Sequence, residues 1–173
     1  PEAIQFLRPR TAHLLRVEFA AVVGHHVALS VVGTDRLAPA SGYFQAKLTQ
    51  ESLISSGPVP YTLVRATQFF EFLSTIADSA TVDNTVSLPP ALIQPMASAD
   101  VAEGIALAAV AAPVNGIIEI GGPEPFRLDE VIRTALTARG DARRVVSDPT
   151  ARYWGIAIGE RTLIPAEGAA LFD

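Results

Sequence analysis

The run His26-Val27-Ala28-Leu29-Ser30-Val31-Val32 constrains this chain more than any other stretch, because it is short, nearly all apolar and rich in valine. It is followed at once by the turn-prone Gly33-Thr34-Asp35. A run of that length without polar alternation reads as a strand buried on both faces, as in a parallel sheet. Tyr61 to Ala66 and Gly116 to Ile120 have the same character. Between them lie segments with helical spacing, and strands alternating with helices at this interval imply βαβ units. The expected class is therefore α/β, a parallel sheet with helices on both faces.

The helices can be placed from their ends. Thr11 is suited to cap a helix carrying Leu14, Leu15, Val17, Ala20 and Ala21, with Pro9 before it and Gly24 at the left-handed position after it. Gly33-Thr34-Asp35 and Pro39 to Gly42 read as an exposed loop. A second helix starts at Ser41 or Gly42, turns Phe44, Leu48 and Leu53 toward the core and stops at Gly57-Pro58. Thr67 to Ala77 reads as a loop turning into a short helix. Thr85 to Leu88 and Ala91 to Met96 are weaker strands around Pro89-Pro90. Ser98 or Asp100 caps an alanine-rich helix ending before Pro113, Leu128 to Arg139 forms another, and Arg143 to Val146 a short strand. From Arg152 onward no period is visible.

Composition narrows the function classes. A length of 173 residues fits one domain, residues 1–173, and 49% hydrophobic with 18% charged residues lies far from the signature of disorder. A net charge of −5, with Lys and Arg scattered, argues against nucleic-acid or anionic-membrane surfaces. Cysteine is absent, which removes disulfide scaffolds, thiol nucleophiles and thiolate metal sites and favours a cytoplasmic setting. No signal-peptide pattern opens the chain, and the longest apolar stretch, Gly104 to Val114, is too short to span a bilayer. The chain opens on Pro1 without a methionine, so either the initiator was removed or it is a piece of something longer.

Three residues point to chemistry: Ser30 at a strand end, Tyr43, and Lys47 four residues later. Tyr and Lys at i and i+4 share a helix face, where an ammonium can favour ionisation of the phenol. That moves a tyrosine toward a general acid–base role. A serine hydroxyl at the carboxyl end of a parallel strand sits where open α/β sheets place ligands. The combination suggests carbonyl reduction or its reverse. Asp100 reads as a helix cap and not as a catalyst. The adjacent His25 and His26 point to opposite faces of a strand and do not make a metal pair.

The order of Val27-Ala28-Leu29-Ser30, Tyr43-Phe44-Gln45-Ala46-Lys47, Tyr61 to Thr67, Asp100-Val101-Ala102 and Gly121-Gly122-Pro123-Glu124 resembles NmrA-like, atypical short-chain dehydrogenase/reductases, from about Gly24 to Val146. The resemblance implies a partial doubly wound, Rossmann-like sheet with flanking helices that lacks the first βα units, the later two-thirds of an NAD(P)-binding reductase domain. It implies an NAD(P)H-dependent oxidoreductase with Tyr43 as acid–base, Lys47 holding the nicotinamide ribose and tuning Tyr43, and Ser30 orienting a substrate carbonyl. Arg65, Ala66, Thr67, Gln68 and Phe69 would line the nicotinamide side, although Arg65 reads equally well as a strand-end arginine paired with a carboxylate. Phe69, Phe70 and Phe72 would wall a hydrophobic substrate site or belong to ordinary core.

The family's Gly-x-x-Gly-x-x-Gly turn is absent, and Gly121-Gly122 precedes Pro-Glu-Pro, which cannot open a helix around a phosphate. Dinucleotide binding by this chain alone is therefore expected to be millimolar or absent. The alternatives are a noncatalytic dinucleotide-sensing protein, or an inactive fragment held in an oligomer. In the related sheet the serine-bearing strand is interior, so an exposed edge at Val27 to Val32 is expected to form a homodimer, to be covered by residues 1–23, or to aggregate.

Overall fold

The computed structural model describes residues 2–167 and 169–171. In chain order the elements are α1 (Glu2–Ala20), β1 (His26–Val31), α2 (Thr34–Leu37), a 3-10 turn (Ala38–Ala40), α3 (Gly42–Ser55) and β2 (Tyr61–Ala66). A second 3-10 turn (Phe70–Phe72) leads into α4 (Leu73–Ser79), followed by β3 (Thr81–Val82), β4 (Thr85–Leu88), β5 (Leu92–Ile93) and α5 (Ser98–Val110). The chain continues through β6 (Gly116–Gly121), β7 (Phe126–Arg127), α6 (Leu128–Ala138), β8 (Arg144–Ser147) and β9 (Ala170–Leu171).

The main sheet has the order β1-β2-β6-β9, every neighbouring pair parallel. The register sets Ser30 beside Arg65 and Arg65 beside Glu119, and, one row on, Val31 beside Ala66 and Ala66 beside Ile120. Side chains alternate across the pleat. Ala28 and Leu63 therefore pack with Leu15 of α1 and Ile54 of α3 on one face. Val64, Ala66 and Ile120 meet Val101 and Ala108 of α5 on the other. The fold is thus α/β with helices on both faces of a parallel sheet. Beside it, β4 pairs in parallel with β8 and forms a hairpin with β3 through Asp83 and Asn84, both at positive φ as a tight hairpin turn requires. The largest core cluster joins this smaller sheet to α4, α6 and Tyr153, Ile156 and Leu163 of the tail.

Several expectations are corrected. Helix α1 begins at Glu2 and runs through Pro9. Proline removes one ladder hydrogen bond, the one to the Gln5 carbonyl, and the helix continues past it, with Arg10 donating from Nη1 to the Phe6 carbonyl at 3.2 Å and its guanidinium 3.6 Å from the Phe6 ring centroid. The left-handed residue after α1 is Val22 (φ 55), not Gly24, and Val23 N–H returns to the Glu18 carbonyl. Glu18 is held by His26 Nδ1 at 2.8 Å, and this contact fixes where the helix must end. His25 Nε2 meets Thr62 Oγ1 at 2.8 Å, so the two histidines have separate partners.

The expected exposed loop after β1 is buried in part: Gly33 and Thr34 are buried, with Thr34 Oγ1 donating to the Val31 carbonyl at 2.7 Å, whereas Asp35, Pro39, Ala40 and Gly42 are exposed as expected. Helix α5 has Ala97 as its N-cap, without a side-chain cap of its own. Neither Ser98 nor Asp100 fills that role; Glu71, from a distant turn, accepts from Ser98 N–H and Oγ instead. The expected strand Ala91 to Met96 is reduced to Leu92–Ile93, paired with β7. Gly122 explains the neighbouring contact, since a Cβ there would lie 2.0 Å from the Pro95 carbonyl oxygen.

Candidate functional site

At the carboxyl end of β1 and β2 opens a cavity of about 620 Å³. Ser30, Tyr43, Lys47, Ala66, Thr67, Gln68 and Phe69 all border it, so the residues singled out on a strand end and on one helix face meet here. Ser41 makes this local geometry: as N-cap of α3 it accepts from Phe44 N–H and starts the helix so that Tyr43 and Lys47 lie one turn apart. Phe72 also borders the cavity, whereas Phe70 and Arg65 do not.

Lys47 Nζ donates to the Leu29 carbonyl at 2.9 Å and to Gln50 Oε1 at 2.6 Å. An ammonium has three protons, so one remains for a ligand. Burial lowers the Lys47 pKa, opposed by the charge of Glu51. Tyr43 is half exposed, and burial raises its pKa above the ordinary 10.0. The geometry thus differs from the expected ammonium-tuned phenolate, because the ammonium is turned toward the β1 backbone. The phenol stays protonated at neutral pH.

Ser30 is buried, and its hydroxyl donates to Glu51 Oε1. Arg65 grips the same carboxylate with Nε at 3.0 Å and Nη2 at 2.7 Å, and reaches Asp35 at 3.1 Å. Its hydrogen bonds to Glu51 lead in raising its pKa. Arg65 therefore takes the carboxylate-pairing alternative, on the face of the sheet under α3, and not a place on the cavity wall. Glu51 escaped the sequence reading, although the spacing Lys47 to Glu51 marks it as the acid one turn beyond the lysine. A buried glutamate on an amphipathic helix calls for a cationic partner.

Two residues that border the cavity, Thr67 and Gln68, are in the opposite condition. Thr67 Oγ1 and Gln68 Oε1 are buried and have no hydrogen-bond partner. Thr67 follows the end of β2 and packs so close to Gly121 that a Cβ there would sit 3.1 Å from its methyl group. Buried polar groups are rarely left unpaired, so these two atoms mark where a ligand would supply partners. The rim is formed by Tyr153 and Trp154. Tyr153 and Ile156 exchange two backbone hydrogen bonds around Trp154 (φ 50) and Gly155 (φ 79). A tryptophan at positive φ is an outlier, and this one is turned to the cavity. Burial pushes the Tyr153 phenol up to about 12.

No helix among the described residues is long and apolar enough to cross a membrane. No protein-family model and no curated protein matches the chain. Solved structures do. An NAD-dependent NDP-hexosamine 5,6-dehydratase of tunicamycin biosynthesis aligns over 97% of this chain and 66% of its own, at 16% identity and a TM-score of 0.65. An NADPH-dependent quinone oxidoreductase from Escherichia coli aligns over 83% and 50%, at 18% identity and 0.63. The UDP-glucose 4-epimerase of Thermus thermophilus, in complex with NAD, aligns over 89% and 61%, at 18% identity and 0.62. The chain thus spans about half to two thirds of the length of these structures. At such identities the likeness establishes the fold, and the fold is the Rossmann-like α/β sheet these dinucleotide-dependent enzymes share.

Proposed function

We propose that the chain carries the substrate-side residues of an NAD(P)H-dependent oxidoreductase of the NmrA-like, atypical short-chain type. The observation that carries this reading is the joining of Tyr43, Lys47 and the unpartnered Thr67 and Gln68 around one cavity at the carboxyl end of a parallel sheet. The orphaned polar atoms fit the nicotinamide–ribose end of a dinucleotide, with Lys47 toward a ribose hydroxyl. Among the described residues Lys47 is the sole cation on the wall, and none supplies a glycine-rich turn for a pyrophosphate. When bound, the dinucleotide supplies a hydride.

The chain's own residues do the rest. A phenol whose pKa is raised stays protonated at neutral pH, so Tyr43 is placed to give its proton to a carbonyl oxygen. Lys47 is held by Leu29 and Gln50 with one proton free. Ser30 donates its hydroxyl hydrogen bond to Glu51, so it is not free to orient a substrate oxygen. The engagement of Ser30 also favours a second reading, a dinucleotide-sensing protein without turnover. NADPH oxidation measured with a panel of carbonyl compounds at millimolar NADPH separates them. Tyr43→Phe should lower the rate about 100-fold while leaving NADPH affinity unchanged; equal turnover in the variant overturns the catalytic reading.

For partners we propose a small carbonyl substrate and a second copy of the chain across β1. Leu29 stays 41% exposed at this edge, whereas the Leu29 and Val31 carbonyls already accept from Lys47 and Thr34, so the second copy would pack on side chains there and not extend the sheet. Sedimentation giving a monomer at all concentrations would remove the dimer.

A further inference from the structure

We infer that this cavity takes a flat, apolar ring compound bearing a carbonyl, of the quinone type, and not a phosphate-bearing sugar nucleotide. The inference deepens the oxidoreductase reading by naming its substrate class. Six aromatic side chains border the cavity: Tyr43, Phe44, Phe69, Phe72, Tyr153 and Trp154. They form three edge-on or tilted pairs, Tyr43 with Phe44, Phe69 with Phe72 and Tyr153 with Trp154. One member of each pair stays open, Tyr43 at 51%, Phe72 at 53% and Trp154 at 49% exposure. Ring faces left open on a concave wall offer stacking surface to a planar ligand.

The charge pattern gives the same direction. Among the described residues no Asp, Glu or Arg borders the cavity, and the single ammonium there, Lys47, is turned to the Leu29 carbonyl and Gln50. A diphosphate would find no bidentate guanidinium there. A carbonyl needs one donor, and the hydroxyl of Tyr43, half exposed on the cavity wall, provides it. The Trp154-Gly155 turn holds its ring at the rim through a backbone conformation that tryptophan rarely adopts, and such strain concentrates at functional sites. Reduction of a quinone consumes one hydride, from a reduced nicotinamide dinucleotide, and one proton, from Tyr43 with replacement from solvent. The products are hydroquinone and oxidised dinucleotide.

Trp154 is the sole tryptophan and the chain has no cysteine for a quinone to alkylate, so its emission is a clean reporter. Titrating the full chain with menadione and, separately, with UDP-glucose, without dinucleotide, should give saturable quenching by menadione alone. Calorimetry should show Phe72→Ala and Trp154→Ala each weakening menadione about tenfold, while Phe19→Ala, exposed on α1, changes nothing. Saturable UDP-glucose binding without menadione binding overturns the inference, as does menadione binding that neither cavity variant weakens. Menadione binding without turnover when NADPH is added counts against the oxidoreductase reading and leaves the ligand class standing.

Discussion

Polar groups at and just beyond the carboxyl end of β2 are in opposite conditions. Under α3, Arg65 closes on Glu51 and Asp35, and Ser30 donates to the same Glu51, so each acceptor meets a donor at hydrogen-bond distance. Two residues further on, Thr67 and Gln68 keep buried oxygens with no partner. Position on the strand does not separate these groups, since all lie within a few residues of its carboxyl end. Pairing separates them: a satisfied buried network holds elements together, whereas unsatisfied atoms on a cavity wall await a ligand.

The sharpest way to break this contrast is to remove one member of the ion pair. Glu51→Ala leaves the Arg65 guanidinium buried without its main carboxylate, and breaking such pairs costs about 3–5 kcal/mol. Urea denaturation should show a loss of that size. A loss below about 1 kcal/mol would mean that Asp35 and Glu119, 3.1 and 3.9 Å from Arg65, already suffice.

Ser30→Ala is the next step down. It removes one donor from a carboxylate still gripped by Arg65, and a hydrogen bond to a charged group contributes about 1.5–3 kcal/mol. Denaturation should place the loss near the lower end of that range. If Ser30 serves the network, quinone affinity in the variant is unchanged; a large loss of affinity would return Ser30 to the ligand side of the comparison.

Thr67→Val tests the opposite side. The methyl contact with Gly121 is kept while an unpartnered buried hydroxyl is removed, so stability should stay level or rise by up to about 1 kcal/mol. Binding should weaken. A destabilised variant with intact binding would show that Thr67 is paired in the folded protein.

The same contrast explains what could be read beforehand. Strands β1, β2 and β6 are legible because their apolar runs are long enough to outweigh any helical pattern, and α3 because Ser41 caps it and Gly57 follows it. Tyr43, Lys47 and the Thr67 to Phe69 segment were legible because spacing and strand ends are local properties. Arg65 was ambiguous because its choice depends on Glu51 and Asp35, which are remote in sequence. Helix α2 is not legible because four residues carry no period, and α1 starts earlier than expected because a helix packed along α3 tolerates the one hydrogen bond that Pro9 removes. Tyr153, Ile156 and Leu163 show no periodicity, yet they complete the largest core, since burial in an irregular segment depends on what it meets.

The smallest effect concerns a polar contact outside both regions. Glu71 accepts from Ser98 N–H at 3.1 Å and Oγ at 2.7 Å, standing in for the side-chain cap that α5 lacks. These bonds, with Ser98 Oγ first, hold the Glu71 carboxyl below its ordinary 4.5. A carboxyl whose folded pKa is lowered is protonated first in the unfolded chain. Its contribution to stability is therefore complete above about pH 4.5 and is lost as pH falls through the lower folded value. Glu71→Gln keeps an oxygen for Ser98 and removes only the charge, so Tm at neutral pH should fall by about 2 °C or less. The two proteins should melt together once the pH has fallen below the folded value of Glu71. A difference that persists there would assign the contribution of Glu71 to shape and not to charge, and would make this exposed cap a closer relative of the buried Arg65 network than its position suggests.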